Sequence, residues 1–271
     1  MEIDNLQTLA DNIRIEALKM VTRAKASHIG GALSMADILA VLYGKYMQYD
    51  PSNPDWPGRD RLILSKGHCC TTLYAVLALT GFYPLSDLNK YGEKGSYFLS
   101  HISSKIPGVE FSSGSLGHGL PYACGLAYAA RLKNESHRIY CIVGDGEMQE
   151  GSNWEALLFA SHHKLSNICL FIDYNKIQAM GFVENILNLE SLTQKLTSFG
   201  IQTYSIDGNS ISELVSTLDN VLFNSGDSPI AIIANTQKGA GVSFMENKLK
   251  WHYSNPTPEE LETAILEIKS R

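Results

Sequence analysis

Short apolar runs of strand character alternate with helical patterns along this chain, and that alternation restricts the fold more than any other feature. Strand runs are predicted at residues 61–65, 139–143, 167–173, 202–206 and 229–234. Helical spacing marks the segments between them, for example residues 70–79 and 211–220. Such alternation predicts an α/β fold with one doubly wound, mostly parallel sheet and helices on both faces.

The N-terminal part is predicted to be helical, and a long loop is predicted further along. Apolar residues recur at helical spacing over residues 4–26, and the glycine pair in 27–31 (SHIGG) is expected to end that helix. A second helix is expected through 36–43. Residues 81–113 have weak periodicity and many Gly, Pro and Ser residues. Loops of that length in compact domains are usually functional.

Polar residues follow two of the apolar runs at the points where the strands should end. Asp145 stands between Gly144 and Gly146 after the second run, and Asn175 follows the third. Ligands bind at the carboxyl ends of strands in open α/β sheets. A carboxylate, an amide oxygen and a backbone carbonyl are ligands that Mg²⁺ accepts together with phosphate oxygens. The spacing predicts a magnesium-bound diphosphate site; the alternative is a turn in which Gly and Asp only cap a helix.

Composition excludes several classes of function. The chain has 271 residues, 44% hydrophobic and 18% charged, with a net charge of −6 and no basic block, so nucleic acid is not an expected partner. No apolar run approaches the ~20 residues that cross a bilayer, and the acidic N-terminus is no signal peptide. The five cysteines form no C-x-x-C motif, which favours reduced thiols and a cytoplasmic protein. Motifs for dinucleotides and for P-loop nucleotides are absent.

Seven motifs in order along the chain resemble the N-terminal, diphosphate-binding domain of transketolase. The motifs are S27-H-I-G-G31, S65-K-G-H68, S100-H101, G114-S-L-G-H-G119, G144-D-G-E-M-Q-E-G151, D173-Y-N-K-I177 and T236-Q-K-G-A-G-V242 with W251-H252. G-D-G followed by Asn is shared by thiamine diphosphate enzymes in general, whereas the histidine motifs are typical of transketolases and their near relatives. Imidazole titrates near neutral pH, so it suits the proton transfers of ketose cleavage.

The resemblance implies a role for each matching residue. Mg²⁺ would be bound by Asp145, Asn175 and the carbonyl of Ile177. Thiamine diphosphate would be bound by His68, Gly114, Ser115, Leu116, Gly144, Asp145, Gly146, Glu147 and Asn175. Catalytic roles are implied for His28, His101 and His252, which would contact the sugar, and for Glu150 and Glu155, which would meet symmetry mates or the partner domain near the cofactor.

The length of the chain suggests that the enzyme is split between two polypeptides. Residues 1–271 accommodate one diphosphate-binding domain, whereas a full transketolase continues into pyrimidine-binding and C-terminal domains. The resemblance therefore implies one part of a split transketolase that works with a separate C-terminal subunit, in a heterotetramer with a dimeric core, on sugars or sugar phosphates. The alternatives are an α-type subunit of a 2-oxoacid dehydrogenase, a fragment related to 1-deoxyxylulose-phosphate synthase, and a non-catalytic scaffold.

Overall fold

Five parallel strands form the single sheet of the computed structural model, which describes residues 1–224 and 226–271. The strands are β1 (Arg61–Leu64), β2 (Ile139–Gly144), β3 (Ile168–Tyr174), β4 (Gln202–Asp207) and β5 (Ile230–Asn235). Their order across the sheet is β1-β2-β3-β5-β4, and every neighbouring pair is parallel. The predicted strands are thus confirmed to within a residue or two at their ends.

Helices cover both faces of this sheet, as the alternation predicts. The helices are α1 (Ile3–Ala24), α2 (Ile29–Leu33), α3 (Ala36–Val41), α4 (Cys70–Leu79), α5 (Gly119–Leu132), α6 (Gly151–His162), α7 (Val183–Ile186), α8 (Leu192–Ser198), α9 (Ile211–Asn224) and α10 (Pro258–Lys269). Helices α1 to α4, α9 and α10 pack on the first face, and α5, α6 and α8 pack on the second. Within the described residues, no helix is long and apolar enough to span a bilayer.

The strands are apolar throughout because both faces of the sheet are buried. In β3, Cys169 and Phe171 join the core on the first face, while Ile168, Leu170 and Ile172 join the core on the second. Successive side chains of a strand point to opposite faces, so a doubly covered strand needs apolar residues at every position. All five cysteines are buried and free, in agreement with the prediction of reduced thiols.

Strand β1 and strand β2 send the chain to opposite faces of the sheet. The chain leaves β1 toward α4 on the first face and leaves β2 toward α6 on the second face. The backbone therefore parts between the carboxyl ends of these two strands. Such a switch point is where open α/β sheets bind their ligands.

The glycine pair at residues 30 and 31 does not end a helix, contrary to the prediction. Helix α1 ends at Ala24, where Lys25 turns into the left-handed region with φ 49°. Gly30 and Gly31 lie inside α2. A Cβ on Gly30 would lie 3.2 Å from the carbonyl oxygen of Trp251, so glycine is needed there for close packing rather than for a helix stop.

Candidate active site

A pocket of about 230 Å³ opens between the carboxyl ends of β1, β2 and β3. Twelve of the predicted site residues line it together: His28, His68, His101, Gly114, Leu116, Gly144, Asp145, Gly146, Glu147, Asn175, Ile177 and His252. These residues come from widely separated stretches of sequence. The parallel sheet brings them together because each stretch follows a strand or contacts the loop that does.

Asp145 lies directly after β2 and is almost completely buried. Its Oδ1 accepts the N–H of Gly146 at 2.7 Å, and its Oδ2 accepts the backbone N–H of Lys176 from the loop after β3. Burial, and then the negative charge of Asp173, raise the pKa of Asp145 to about 6. A bound cation would favour the ionised form of this carboxylate.

Asn175 and Ile177 present further oxygen atoms in the same pocket. The side-chain Oδ1 of Asn175 accepts the N–H of Ile177 at 3.2 Å. The carbonyl oxygen of Ile177 accepts a hydrogen bond from the ammonium of Lys238 at 2.7 Å. One carboxylate, one amide oxygen and one carbonyl therefore line a single pocket.

The donor set fits magnesium bound to a diphosphate. Residues 1–224 and 226–271 contain no group of three or more His, Cys, Asp or Glu side chains that could hold a metal ion by themselves. A site with one carboxylate and neutral oxygens needs a hard cation that keeps phosphate oxygens or water as its other ligands, as Mg²⁺ does. Gly146 leaves the backbone open here, since a Cβ on it would lie 3.1 Å from the Cβ of Gln178.

Four imidazole rings meet at one side of the pocket. The ring centroid of His28 lies 5.1 Å from that of His68, 5.2 Å from that of His252 and 5.9 Å from that of His101. His28 adopts the left-handed conformation with φ 71°, which is uncommon for a residue with a side chain. Its backbone N–H donates to the carbonyl oxygen of His252 at 2.8 Å, which ties two distant segments together. Backbone strain of this kind is frequent at functional sites.

The histidines of this cluster are neutral at physiological pH. Burial, and then the neighbouring His101 and Lys238, lower the pKa of His28 to about 4. Burial and Lys238 lower the pKa of His252 to about 3, and burial with Lys66 lowers the pKa of His68 well below its usual range. A neutral imidazole has one nitrogen that donates and one that accepts, so each ring can accept a proton from a hydroxyl group.

The His28 ring should therefore remain uncharged on mild acidification of the ligand-free chain. Its folded pKa of about 4 lies below the ordinary value of 6.5, so the unfolded chain binds the proton first as the pH falls. The stability that depends on neutral His28 is present above pH 6.5 and is lost as the pH falls toward 4. Histidine-selective NMR, with His28→Gln to assign the signal, measures the titration. A midpoint near 6.5 for His28 would contradict this prediction.

Glu147 connects the two glycine-rich turns of the site. Its carboxylate accepts the N–H of Gly117 at 2.9 Å and the N–H of Gly144 at 3.1 Å, and the hydroxyl of Ser65 donates to it as well. The hydroxyl oxygen of Ser65 accepts the N–H of Gly119 at 3.0 Å. Burial raises the pKa of Glu147, and these donors oppose the rise. The contacts of Glu147 in this structure thus hold the loops that line the pocket in register.

Three charged residues at the site were not singled out by the sequence. Lys66 and Lys238 line the pocket and are almost fully buried, and Asp173 lies beneath it. Burial lowers the pKa of Lys238 to about 8. Burial acts in the same direction on Lys66, but the adjacent Asp173 outweighs it and raises the pKa of Lys66. The available signal was position, because both lysines belong to motifs that follow apolar strand runs.

Three predicted site residues lie outside the pocket. Ser115 is exposed on the turn before α5. Glu150 immediately precedes α6 and Glu155 lies on its first turns, and both are exposed on the outer surface of the second face. The chain by itself does not bring these carboxylates to the histidine cluster.

A larger crevice of about 770 Å³ opens on the other side of the 175–177 segment. Amides and carboxylates such as Asn209, Gln237 and Glu190 line it, together with Asn175 and Ile177. Among the residues that the structure describes, no histidine lines this crevice. Groups able to exchange protons near neutral pH and bind a diphosphate are thus gathered in the smaller pocket.

The fold and the pocket together define a diphosphate-binding α/β domain, and comparison with known proteins identifies the family. The family model described as "Transketolase, thiamine diphosphate binding domain" matches residues 5–266. The chain therefore belongs to the transketolase family, as its N-terminal, thiamine diphosphate-binding domain.

Similar proteins include single subunits as well as complete transketolases. The A subunit of an apulose-4-phosphate transketolase from Phocaeicola vulgatus is 36% identical over 271 residues, which cover 100% of this chain and 96% of that protein. A 6-deoxy-6-sulfo-D-fructose transketolase subunit from Clostridium sp. is 40% identical over 98% of this chain and 96% of its own length. The crystal structure of transketolase from Campylobacter jejuni superimposes with a TM-score of 0.93 at 34% identity. It covers 99% of this chain, which spans 43% of that longer chain.

These matches confirm the resemblance inferred from the motifs, and they confirm the fold class. They also favour a transketolase subunit over the corresponding part of a 2-oxoacid dehydrogenase, its α-type subunit.

Proposed function

We propose that this chain is the diphosphate-binding subunit of a two-part transketolase. It transfers a two-carbon ketol unit from a ketose phosphate to an aldose phosphate, together with a separate C-terminal subunit. The observation that carries the proposal is the position of four neutral imidazoles beside the oxygen atoms of Asp145, Asn175 and Ile177. Two similar proteins are named for sugars with an anionic group, a phosphate or a sulfonate, and this supports a ketose with a charged end.

The residues of the pocket would divide the cofactor between them. Mg²⁺ would be held by the oxygens of Asp145, Asn175 and Ile177. Thiamine diphosphate would lie against His68, Gly114, Ser115, Leu116, Gly144, Gly146 and Glu147, where the glycines leave room for its phosphates. When bound, the thiamine ring supplies the carbanion stabilisation that side chains lack.

The histidines would handle the protons of the sugar. Cleavage of a ketose requires removal of a hydroxyl proton, and addition to the acceptor requires its return. His28, His101 and His252 lie within one ring cluster, so they can contact neighbouring hydroxyls of a single sugar chain. Because His28 and His252 are neutral near pH 7, each can accept a proton. His28 is also held by its backbone contact to His252, which limits loss of alignment.

The remaining catalytic parts would come from another polypeptide. We infer that residues 1–271 form one domain and that a pyrimidine-binding domain is supplied by a separate polypeptide. The names of similar proteins support this division, since each describes one subunit of a transketolase rather than a whole enzyme. A cytoplasmic location fits five buried, unpaired cysteines.

Complementation tests this division of labour. The purified chain with thiamine diphosphate and Mg²⁺ should show no ketol transfer, and activity should appear when the C-terminal subunit of the same organism is added. The reason is that the pocket here is open on the side where the ring of the cofactor would need its second set of contacts. Coupled assays with several ketose phosphates measure the rate. Full turnover by the chain alone would contradict the split architecture.

The outer surface of α5 and α6 is a candidate for the dimeric core. Leu132 and Leu158 are largely exposed there, Phe159 lies beside them, and a Cβ on Gly125 would meet no atom within 4 Å. Exposed apolar side chains grouped around small residues are typical of interfaces. Glu150 and Glu155 lie on the same surface, where a second copy would bring pairs of these carboxylates together.

Leu158→Lys should therefore weaken self-association of the chain. Leu158 is 58% exposed, so the substitution should leave folding unchanged while placing two unpaired charges in a symmetric interface. Dimer dissociation should increase about 100-fold or more, since burying an unpaired charge costs several kcal/mol. Light scattering across a range of concentrations measures this. Leu266→Lys on α10, at 70% exposure, is the matched control and should not alter association. Equal effects of both substitutions would exclude the α5–α6 surface.

A further inference from the structure

Asp173 is a fully buried carboxylate beneath the pocket, at the carboxyl end of β3. Four side chains from different parts of the chain donate hydrogen bonds to it. Ser34 donates to Oδ2 at 2.7 Å, Asn175 donates to the same oxygen at 3.1 Å, and Lys66 and Thr236 also donate to the carboxylate. An ionised carboxylate accepts about four hydrogen bonds and donates none, so this environment is matched to that one group.

The contact with Asn175 has a chemical consequence for the metal site. A side-chain amide has an oxygen on one side and an NH₂ group on the other, and only the oxygen can bind a cation. Because Asp173 can only accept, the NH₂ group of Asn175 must face it. The amide oxygen then faces the opposite way, where it accepts the N–H of Ile177 at 3.2 Å.

We propose that Asp173 is a positioning residue that fixes the amide of Asn175 with its oxygen, rather than its nitrogen, toward the cation. This inference rests on the proposed function, since it concerns the proposed metal site. Ser34 and Thr236 hold the carboxylate from α2–α3 and from the end of β5, so Asp173 cannot turn away from Asn175. Lys66 pairs with the same carboxylate and donates to the carbonyl of Gly31 at 3.0 Å, which compensates the buried negative charge.

A charge-neutral double substitution separates orientation from electrostatics. Asp173→Asn with Lys66→Met removes one negative and one positive charge, so the net charge near the site is unchanged. An asparagine at 173 can present either group to Asn175, and the orientation of Asn175 is no longer imposed. We expect Mn²⁺, titrated alone and followed by water relaxation, to bind about 10- to 100-fold more weakly, as is usual when the partner of a metal ligand is lost. Mn²⁺ alone avoids any direct effect of Lys66 on the diphosphate.

Ser34→Ala is the matched control. It removes one donor from the same Asp173 oxygen and leaves the contact with Asn175, so Mn²⁺ affinity should change by less than about 3-fold. If the double variant and wild type bind Mn²⁺ equally, the positioning role is wrong. If wild type itself binds no Mn²⁺, the proposed metal site fails, and the inference fails with it.

A second measurement does not require a metal or a folded variant. In wild type, the side-chain NH₂ protons of Asn175 should be protected from exchange and shifted in ¹⁵N-labelled spectra, because Asp173 accepts one of them. Wild-type protection without Mn²⁺ binding would refute the metal site while leaving the contact intact. Free exchange of those protons in wild type would overturn the inference directly.

Discussion

Asp145→Asn is expected to abolish magnesium-dependent binding of thiamine diphosphate while leaving the chain folded. Asp145 is the only carboxylate among the three oxygens proposed to bind Mg²⁺, so its replacement removes the charge that a divalent cation requires. The affinity for the cofactor with Mg²⁺ should fall at least about 100-fold, a loss of roughly 3 kcal/mol.

Stability should respond in the opposite direction. A pKa of about 6 for Asp145, against 3.8 ordinarily, means that its ionised form makes the ligand-free chain about 3 kcal/mol less stable at neutral pH, at about 1.4 kcal/mol per pKa unit. The sign follows because the folded state favours the protonated form, so the ionised group opposes folding above its pKa. Asparagine removes that cost but accepts only one of the two backbone N–H groups that Asp145 binds. The unfolding midpoint of the ligand-free variant should therefore not fall.

Thermal unfolding with and without ligand measures both effects. A ligand at 100 times its dissociation constant adds about 2.7 kcal/mol of stability, which raises the midpoint of a chain of this size by about 5–10 °C. Wild type should show that rise with cofactor and Mg²⁺ together, and the variant should show none. A variant that keeps the full rise would exclude Asp145 as a metal ligand.

The sequence predicts the sheet and the oxygen ligands because both depend on local signals. A strand buried on both faces is apolar at every position, as in residues 139–143, and this pattern is visible without any knowledge of tertiary contacts. Asp145 and Asn175 directly follow such strands, and parallel strands place their carboxyl ends at one edge. Their proximity therefore follows from chain order and the parallel arrangement alone.

Residues whose roles depend on distant contacts could not be found in this way. Asp173 looks like the last residue of a strand, and only the fold shows that Ser34, Lys66 and Thr236 converge on it. Lys238 was overlooked because a lysine is ordinarily exposed, and its burial comes from packing of the 236–242 loop against Gly30. The glycine pair of α2 misled for the same reason, since its cause is contact with Trp251 rather than local conformation.

The positions of Glu150 and Glu155 illustrate a different limit. Both lie outside the pocket on an exposed surface, so neither sequence nor a single chain assigns them to the histidine cluster. The role implied for them by resemblance requires another polypeptide. Their substitution should affect association or activity of the assembled enzyme only, whereas substitution of pocket residues should also affect ligand binding by the chain alone.

Gly67→Ala is expected to disrupt the site more severely than any other single methyl group. A Cβ at Gly67 would lie 2.2 Å from the hydroxyl oxygen and 2.5 Å from the carbonyl oxygen of Ser113. The hydroxyl of Ser113 is bound to the carbonyl of Leu64 at 2.8 Å, so it cannot move aside freely. Gly67 also accepts the N–H of Ile102 at 3.0 Å. The clash therefore separates three segments that carry His68, His101 and the Gly114–Leu116 turn.

The expected cost is about 1–3 kcal/mol, the usual range for an added methylene in a tightly packed site. That corresponds to a midpoint about 2–10 °C lower, with cofactor affinity reduced at least about 10-fold because His68 and Leu116 lose their relative positions. Gly151→Ala is the control, since a Cβ there meets no atom within 4 Å and the residue begins α6. Its midpoint and cofactor affinity should match those of wild type. If Gly67→Ala lowers the midpoint but binds the cofactor normally, the packing of Gly67 on Ser113 stabilises the fold without aligning the site.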